Sequence, residues 1–321
     1  MSTENNISVS VRRLEKKFGA FTAVNRIDFD VRRGEIFGFL GPNGAGKSTT
    51  IRMLCGILSP TSGSGSVGGY DILKEQEKIK QNIGYMSQKF SLYDDLTVEE
   101  NINFYSGIYN VPDKKKRKEE IVKKAQLENR MGKLTKTLSG GTKQTLALVC
   151  SVIHRPKIIF LDEPTSGVDP ITRNTFWGII KGLAEKGVTV FVTTHYMDEA
   201  ENCDRMALIY KGNIIAMGTP VEMKTKFMKN EILEIYAPDP EPWSEKIASL
   251  DGVKETSLFG SGIHAVVTDS ARARTGIERA FDEAGVKEYN VNKIPPSLED
   301  VFVSLIENYK EPDSEHESQK S

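Results

Sequence analysis

Two stretches of the 321-residue sequence combine residue types suited to chemistry on phosphate groups. In the first, Gly41-Pro42-Asn43-Gly44-Ala45-Gly46-Lys47-Ser48-Thr49, the glycines at 41, 44 and 46 let the backbone fold tightly. Successive amide hydrogens can then point inward at phosphate oxygens. The apolar run Ile36 to Leu40 precedes the loop, and a helical spacing of Ile51, Leu54, Cys55 and Leu58 follows it. The loop is therefore expected between a buried strand and the positive end of a helix. From there Lys47 can reach the β- and γ-phosphates of a nucleotide, and the Ser48 hydroxyl can ligate magnesium. The plain alternative is a glycine turn without a ligand, which the strand and helix on either side argue against.

The second stretch, Lys157-Ile158-Ile159-Phe160-Leu161-Asp162-Glu163, reads as a buried strand ending in two carboxylates, where a parallel sheet presents its chemistry. Asp162 is expected to hold magnesium, directly or through water, and Glu163 to polarise a water attacking the γ-phosphate. A structural salt bridge would use the same two acids, but the phosphate loop favours the chemical reading.

The elements that must position these residues are legible in the hydrophobic pattern. Ile36 to Leu40, Ile158 to Leu161 and Val188 to Val192 are short, largely apolar runs without alternation and read as central strands buried on both faces. Ile27, Phe29 and Val31 alternate with Asp28 and Asp30, the period of an antiparallel strand with one wet face. An α/β domain over residues 5–225 is expected: a parallel core sheet, a small antiparallel layer, and a helical subdomain at about 88–150. The basic run Lys114 to Lys118 lies in that helical stretch and reads as a solvated helix face.

From Glu231 the pattern gives strand 231–236, helix 242–250, strands 253–259 and 263–269, helix 271–285 and strand 287–294. This βαββαβ order predicts a small ferredoxin-like α+β domain within residues 230–309. Ser297 can cap a helix whose Leu298, Val301, Phe302, Leu305 and Ile306 share one face, expected to pack back on its own chain, with an intersubunit contact as the other reading. Residues 310–321 are charged and polar without an apolar period, the composition of a disordered tail.

Lys plus Arg number 43 against 44 Asp plus Glu, so no global field would draw nucleic acid or an acidic membrane, and no nucleic-acid partner is expected. Cys55, Cys150 and Cys203 lack metal-ligand spacing and read as reduced, small apolar core residues. The polar start, Met1 to Ser10, does not resemble a secretory signal, and no apolar run is long enough to span a bilayer; a cytosolic location is expected.

A phosphate loop and an acidic strand fit several nucleotide-handling families; the next motif separates them. Leu138-Ser139-Gly140-Gly141-Thr142-Lys143-Gln144 precedes the acidic strand and resembles the signature sequence of the ABC ATPase family. Ser139 and the glycine amides stand where a helix would start, a second anion site. Gln88 in Tyr85-Met86-Ser87-Gln88 is similar to that family's glutamine loop, which touches magnesium and the attacking water. Ser166-Gly167-Val168-Asp169 resembles its loop crossing to a partner subunit, and His195 in Thr193-Thr194-His195 resembles its γ-phosphate switch histidine. Phe18 matches the position that stacks on adenine, with ordinary packing as the other reading. One departure is Thr145, where many members carry Arg. Pro296-Ser297-Leu298-Glu299-Asp300-Val301-Phe302 resembles the tail of ATPase subunits from bacterial drug-exporter systems.

The resemblance implies an ATPase using ATP and Mg2+ that works as a homodimer or heterodimer with a second nucleotide-binding domain. It implies a separate transmembrane permease that carries a cargo outward, with this chain peripheral on the cytoplasmic face of the membrane. Ser139, Gly140, Gly141 and Asp169 would serve the nucleotide of the partner domain. The competing classes are an ABC ATPase acting on ribosomes or nucleic acid, and a nucleotide-binding regulator without turnover. The sequence shows neither a second ATPase domain nor long heptad insertions, and it keeps Glu163 and His195.

Overall fold

A computed structural model describes residues 6–88, 92–228 and 230–309. The disordered tail expected at 310–321 lies outside the described residues. The chain divides into two compact units, Met1–Pro220 and Val221–Ser321.

In the first unit β1 (Ile7–Phe18) and β2 (Phe21–Arg32) form a hairpin, and β3 (Ile36–Leu40) leads through the glycine loop into α1 (Lys47–Leu54). Then follow β4 (Ser62–Val67), β5 (Tyr70–Asp71), α2 (Gln76–Asn82), β6 (Ile83–Met86), α3 (Val98–Ile108), α4 (Lys114–Lys124) and α5 (Gly140–Val152). The unit continues with β7 (Ile158–Asp162), α6 (Pro170–Ala184), β8 (Thr189–Thr194), β9 (Arg205–Tyr210) and β10 (Asn213–Gly218). Its core sheet has the order β10-β9-β3-β8-β7-β6. The three apolar runs are interior strands, every residue of β3, β7 and β8 being buried. The sheet is parallel except for the β9–β10 hairpin at one edge, so it is mixed rather than wholly parallel. The expected antiparallel layer is the sheet β2-β1-β4-β5.

Aromatic rings join the two layers. Phe29 of β2 lies 5.7 Å from Phe37 and 5.9 Å from Phe191 between ring centroids, and Phe160 lies 5.5 Å from Phe191. Large flat groups at such spacing fill the interlayer volume and favour offset packing. The opposite face of the sheet is covered by α5, which is buried along nearly its whole length, together with α3, α4 and α6. Cys55, Cys150 and Cys203 are all buried, and burial pushes their thiols up, as expected of inert core residues.

The basic run is only partly a solvated face. Lys114, Lys115 and Lys116 are exposed, but Arg117 turns inward and donates from Nε to Ile153 O at 3.0 Å and from Nη2 to Val152 O at 2.9 Å. The last carbonyls of a helix lack intrahelical donors, and the end of α5 takes them from this guanidinium.

The second unit opens with α7 (Pro220–Phe227) and has β11 (Glu231–Tyr236), α8 (Pro240–Ala248), β12 (Val253–Phe259), β13 (Gly262–Val267), α9 (Ser270–Glu283), β14 (Asn290–Ile294) and α10 (Leu298–Glu307). The antiparallel sheet runs β12-β13-β11-β14, with the βαββαβ order of a split β-α-β module. One face packs on Ile247, Ile277 and Phe281 of its helices; on the other, Ile232 and Val266 meet Val301 and Leu305 of α10.

A polar pair fixes α10. Asp300 completes a capping box with Ser297 through Oδ2, while its Oδ1 accepts from His264 Nδ1 at 2.7 Å; both side chains are buried. His264 Nε2 faces Glu234 at 3.8 Å, and the ring stacks on Phe259 at 4.2 Å. Burial lowers the imidazole pKa, but the bond and charge of Asp300 outweigh it and hold it above its ordinary 6.5. Asp300 is held low: burial raises it, but the bonds from His264 and Ser297 prevail. Glu255 is pushed up to about 7 by burial and by Glu307 near the end of α10.

The signs agree above neutrality. The His264 contribution is full below about 6.5 and lost as pH climbs through its raised pKa; that of Glu255 is full below about 4.5 and gone above about 7. Amides of α10 are therefore expected to exchange with solvent deuterium more readily at pH 8 than at pH 6, after correction for intrinsic rates. A His264→Gln chain should shrink that difference to the part that Glu255 contributes, and equal protection in the unaltered chain would refute the pair as the holder of α10.

Candidate functional site

The glycine loop folds as its composition demands. Gly46 sits at φ 111°, and a Cβ there would meet Ala23 O at 2.5 Å; at Gly41 it would meet Ile209 O at 2.2 Å. Neither position admits a side chain without moving backbone. The helix that follows is short because Gly56, at φ 67°, ends it just after Cys55.

Lys47 is buried, and its Nζ donates to Gly41 O at 2.7 Å and Pro42 O at 3.1 Å and pairs with Glu163 Oε1 at 3.0 Å. Ser48 Oγ donates to Asp162 Oδ1 at 3.0 Å, joining loop and acidic strand. Asp162 is fully buried; burial raises its pKa against the bonds from Thr193 and Ser48, and its Oδ2 has no hydrogen-bond partner. A buried carboxylate oxygen without a donor is costly unless a cation faces it.

Glu163 is the hub. Its second oxygen accepts from Gln88 Nε2 at 3.0 Å and lies 3.3 Å from His195 Nδ1, so the other two residues expected to act with Glu163 both meet its carboxylate. The Glu163 backbone is left-handed, at φ 48°, a conformation costing about 1–3 kcal/mol for a non-glycine residue. It is held by amide bonds to Thr193 O at 3.2 Å and Thr193 Oγ1 at 3.0 Å.

Gly46, Lys47, Ser48, Gln88 and Glu163 line a cleft of about 360 Å³ with Asn43, Gly44, Thr49, Phe18 and Phe21, whereas Asp162 and His195 are not among its lining residues. Phe18 and Phe21 are 50% and 62% exposed, so neither ring is spent on the core. Lys16 Nζ lies 5.1 Å from the Phe18 ring. Pro42 and Ala45 complete the loop without lining the cleft.

The remaining motif residues lie elsewhere. Ser139 caps α5, its oxygen accepting from Thr142 N; Ser139 and Gly140 are exposed, Gly141 is buried against Thr172, and none of the three lines the cleft. Asp169 caps α6 through Ile171 N and Thr172 N, beside an Ile171 side chain that is 81% exposed. Thr145 is buried and donates to Gly141 O, tying the start of α5 instead of forming an ion pair.

Thr193 and Phe21 are additions that sequence reading did not assign. Strand pairing sets Thr193 opposite Asp162, where its hydroxyl donates to Oδ1 at 2.8 Å while also accepting from the Glu163 amide. Beneath the His195 loop, Thr165 Oγ1 donates to buried Glu199, and Arg173 lies 3.3 Å from the same carboxylate. Arg173 also stands 4.7 Å from the Tyr196 ring.

A family model described as ABC transporter matches residues 24–166. The linearmycin resistance ATP-binding protein LnrL of Bacillus subtilis is 40% identical over 304 residues, 92% of this chain and 97% of that protein. The chain belongs to the ABC transporter ATP-binding proteins.

Other members of this family resemble it over different shares. The probable multidrug ABC transporter ATP-binding protein YbhF of Escherichia coli is 50% identical over 241 residues, which are 74% of this chain and 41% of that relative; the match spans less than half of YbhF. The Nod factor export ATP-binding protein I of Burkholderia lata is 33% identical over 300 residues, 92% of this chain and 96% of its own. Among solved structures, an ATP-binding subunit of an ABC transporter matches with TM-score 0.63 at 28% identity, covering 68% of this chain and 92% of that one. A dimeric ATP-binding cassette in a post-hydrolysis state, bound to ADP and Pi, matches with TM-score 0.61 at 26% identity, covering 66% and 98%. Among the described residues no helix is long and apolar enough to cross a membrane.

Proposed function

We propose that this ABC ATPase hydrolyses ATP between two nucleotide-binding domains set head to tail, and that the cycle drives export through a separate membrane permease. One observation carries the reading: Ser139 and Gly140 present an exposed helix start outside the cleft that holds Lys47, Ser48 and Glu163. A second domain can bring its own copy over the nucleotide, where amides and helix dipole would meet the γ-phosphate.

Each residue then has a task. Lys47 and the amides of the Gly41–Thr49 loop hold the β- and γ-phosphates, and Phe18, with Phe21 beside it, offers a face to adenine. Glu163 takes the proton of the attacking water, Gln88 orients that water, and His195 donates to the γ-phosphate. Ser48, the unpartnered Oδ2 of Asp162 and Gln88 suit Mg2+, a cation that takes few protein oxygens and several from phosphate. The ion would neutralise phosphate charge. The cap at Asp169 holds the loop Ser166–Asp169 in shape against the partner domain, with Ile171 in the same contact.

The export reading rests on the named activities of the relatives. In it, residues 5–225 form the ATPase domain, the helical stretch 88–150 passes closure to the permease, and residues 230–309 form an accessory domain. The protein would then be held at the cytoplasmic face of the membrane through the permease. Affinity purification of the tagged chain from detergent-solubilised membranes should recover an integral membrane protein with many spans. Recovery with ribosomes or DNA instead would overturn the transport reading.

A further inference from the structure

Far from the nucleotide loop in sequence, the first unit holds a larger cleft of about 800 Å³, walled by α4, the end of α5, the start of β7 and the second half of α6. It shares no lining residue with the nucleotide cleft. Its size falls within the roughly 300–1,000 Å³ of cavities that enclose small ligands. The family motifs leave it without a task.

Its lining is divided by chemistry. The apolar part is aliphatic: Ile121, Val152, Ile159, Ile179, Leu183 and Val188. No aromatic ring lines the cleft, so there is no stacking platform for a base. The polar part has five cations, Arg117, Lys124, Arg155, Lys157 and Lys186, against one carboxylate, Glu120. Glu120 is taken up by Arg155 at 3.4 Å and Arg117 at 3.6 Å. Among the described residues, no carboxylate forms an ion pair with Lys124, Lys157 or Lys186. Lys124 and Lys186 line this same cleft, and the neighbouring Lys186, followed by burial, lowers the Lys124 pKa. Two ammonium groups held together without an anion repel each other, whereas an anion placed between them would be bound by both.

Helix α6 keeps the apolar part open. Gly178 and Gly182 line the cleft one helical turn apart, and a Cβ at either would meet nothing within 4 Å. Glycine inside a helix costs about 1 kcal/mol relative to alanine. Backbone conformation and neighbouring atoms do not require it here.

We propose that this cleft binds an aliphatic chain ending in an anionic head, the head between Lys124 and Lys186 and the chain along Ile179, Leu183 and the Gly178–Gly182 face. A free fatty carboxylate and an acidic phospholipid share that chemistry.

Isothermal titration of the full chain with sodium dodecanoate, below its micelle concentration and at low ionic strength, tests the site. One saturable site is expected, weakened at least tenfold in a Lys124→Glu/Lys186→Glu chain and likewise in Gly182→Leu, which fills the apolar part. Dodecyltrimethylammonium should not compete. Both variants should keep wild-type nucleotide affinity and melting temperature, because they touch neither the nucleotide cleft nor a close-packed position. Cosedimentation with phosphatidylcholine vesicles, with and without phosphatidylglycerol, separates the sources. Capture by acidic vesicles that both variants lose assigns membrane lipid; dodecanoate binding without vesicle capture assigns the free carboxylate. Absence of saturable dodecanoate binding, or binding that survives both variants, would overturn the proposal. Vesicle adsorption lost only in the lysine variant would also overturn it, since surface charge alone explains that result.

Discussion

A Glu163→Gln chain is expected to bind ATP yet release phosphate about 10²–10⁴ times more slowly than wild type, the span a positioned general base contributes. Glutamine keeps the shape of the side chain and can still accept one of the bonds that Glu163 receives from Lys47 and Gln88. It cannot take a proton from water. The change also removes the negative partner of a buried Lys47, leaving Gly41 O and Pro42 O as its acceptors. The nucleotide-free variant should therefore melt at a lower temperature, and ATP should raise that temperature more than in wild type, because the phosphates restore the missing charge. Size-exclusion chromatography with ATP should show a persistent dimer. Steady-state phosphate release at the wild-type rate would remove Glu163 from the role of base.

Two inactive chains are expected to rescue each other. Lys47→Ala removes the phosphate cation, and Gly140→Arg places a long side chain at the exposed start of α5. At Gly140 a Cβ meets nothing within 4 Å and the backbone is not left-handed, so the substitution leaves the fold intact. Each variant alone should fall to background, because a dimer of two like copies would have both of its sites damaged. In a mixed dimer one site collects both lesions and the other collects none. Random pairing of equal amounts should then restore about a quarter of wild-type phosphate release, if the two sites of a symmetric dimer work independently. No recovery at any mixing ratio would show that two copies of this chain do not build the site between them.

Motifs made of backbone chemistry were legible from the sequence, and contacts made by topology were not. The phosphate loop is readable because glycine at 41 and 46 is required by the chain's own backbone, and the order Gln88, Ser139, Asp162, Glu163, His195 follows known spacing. In the sequence Thr193 stands only as part of the His195 motif. Its hydroxyl reaches Asp162 because β7 and β8 pair in one particular register, which composition does not state. Arg117 misled for the same reason: within a lysine run it reads as solvated, and its acceptors lie 35 and 36 positions away at the end of α5. In the second unit the strand and helix order could be read, but the helix expected at 242–250 begins at Pro240, since proline is tolerated in a first helical turn. The aliphatic cleft left no sequence signal, because its walls come from four separated segments.

Asp300 does two jobs with one carboxylate, starting α10 through Ser297 and anchoring it through His264. Positions 264 and 300 are consequently not free to drift one at a time. A neutral residue at 264 leaves a buried acid with half its partners gone, and a neutral residue at 300 unfastens the helix and its cap together. Across descendants of this chain the two should change as a pair or stay fixed, a joint constraint between residues 36 positions apart.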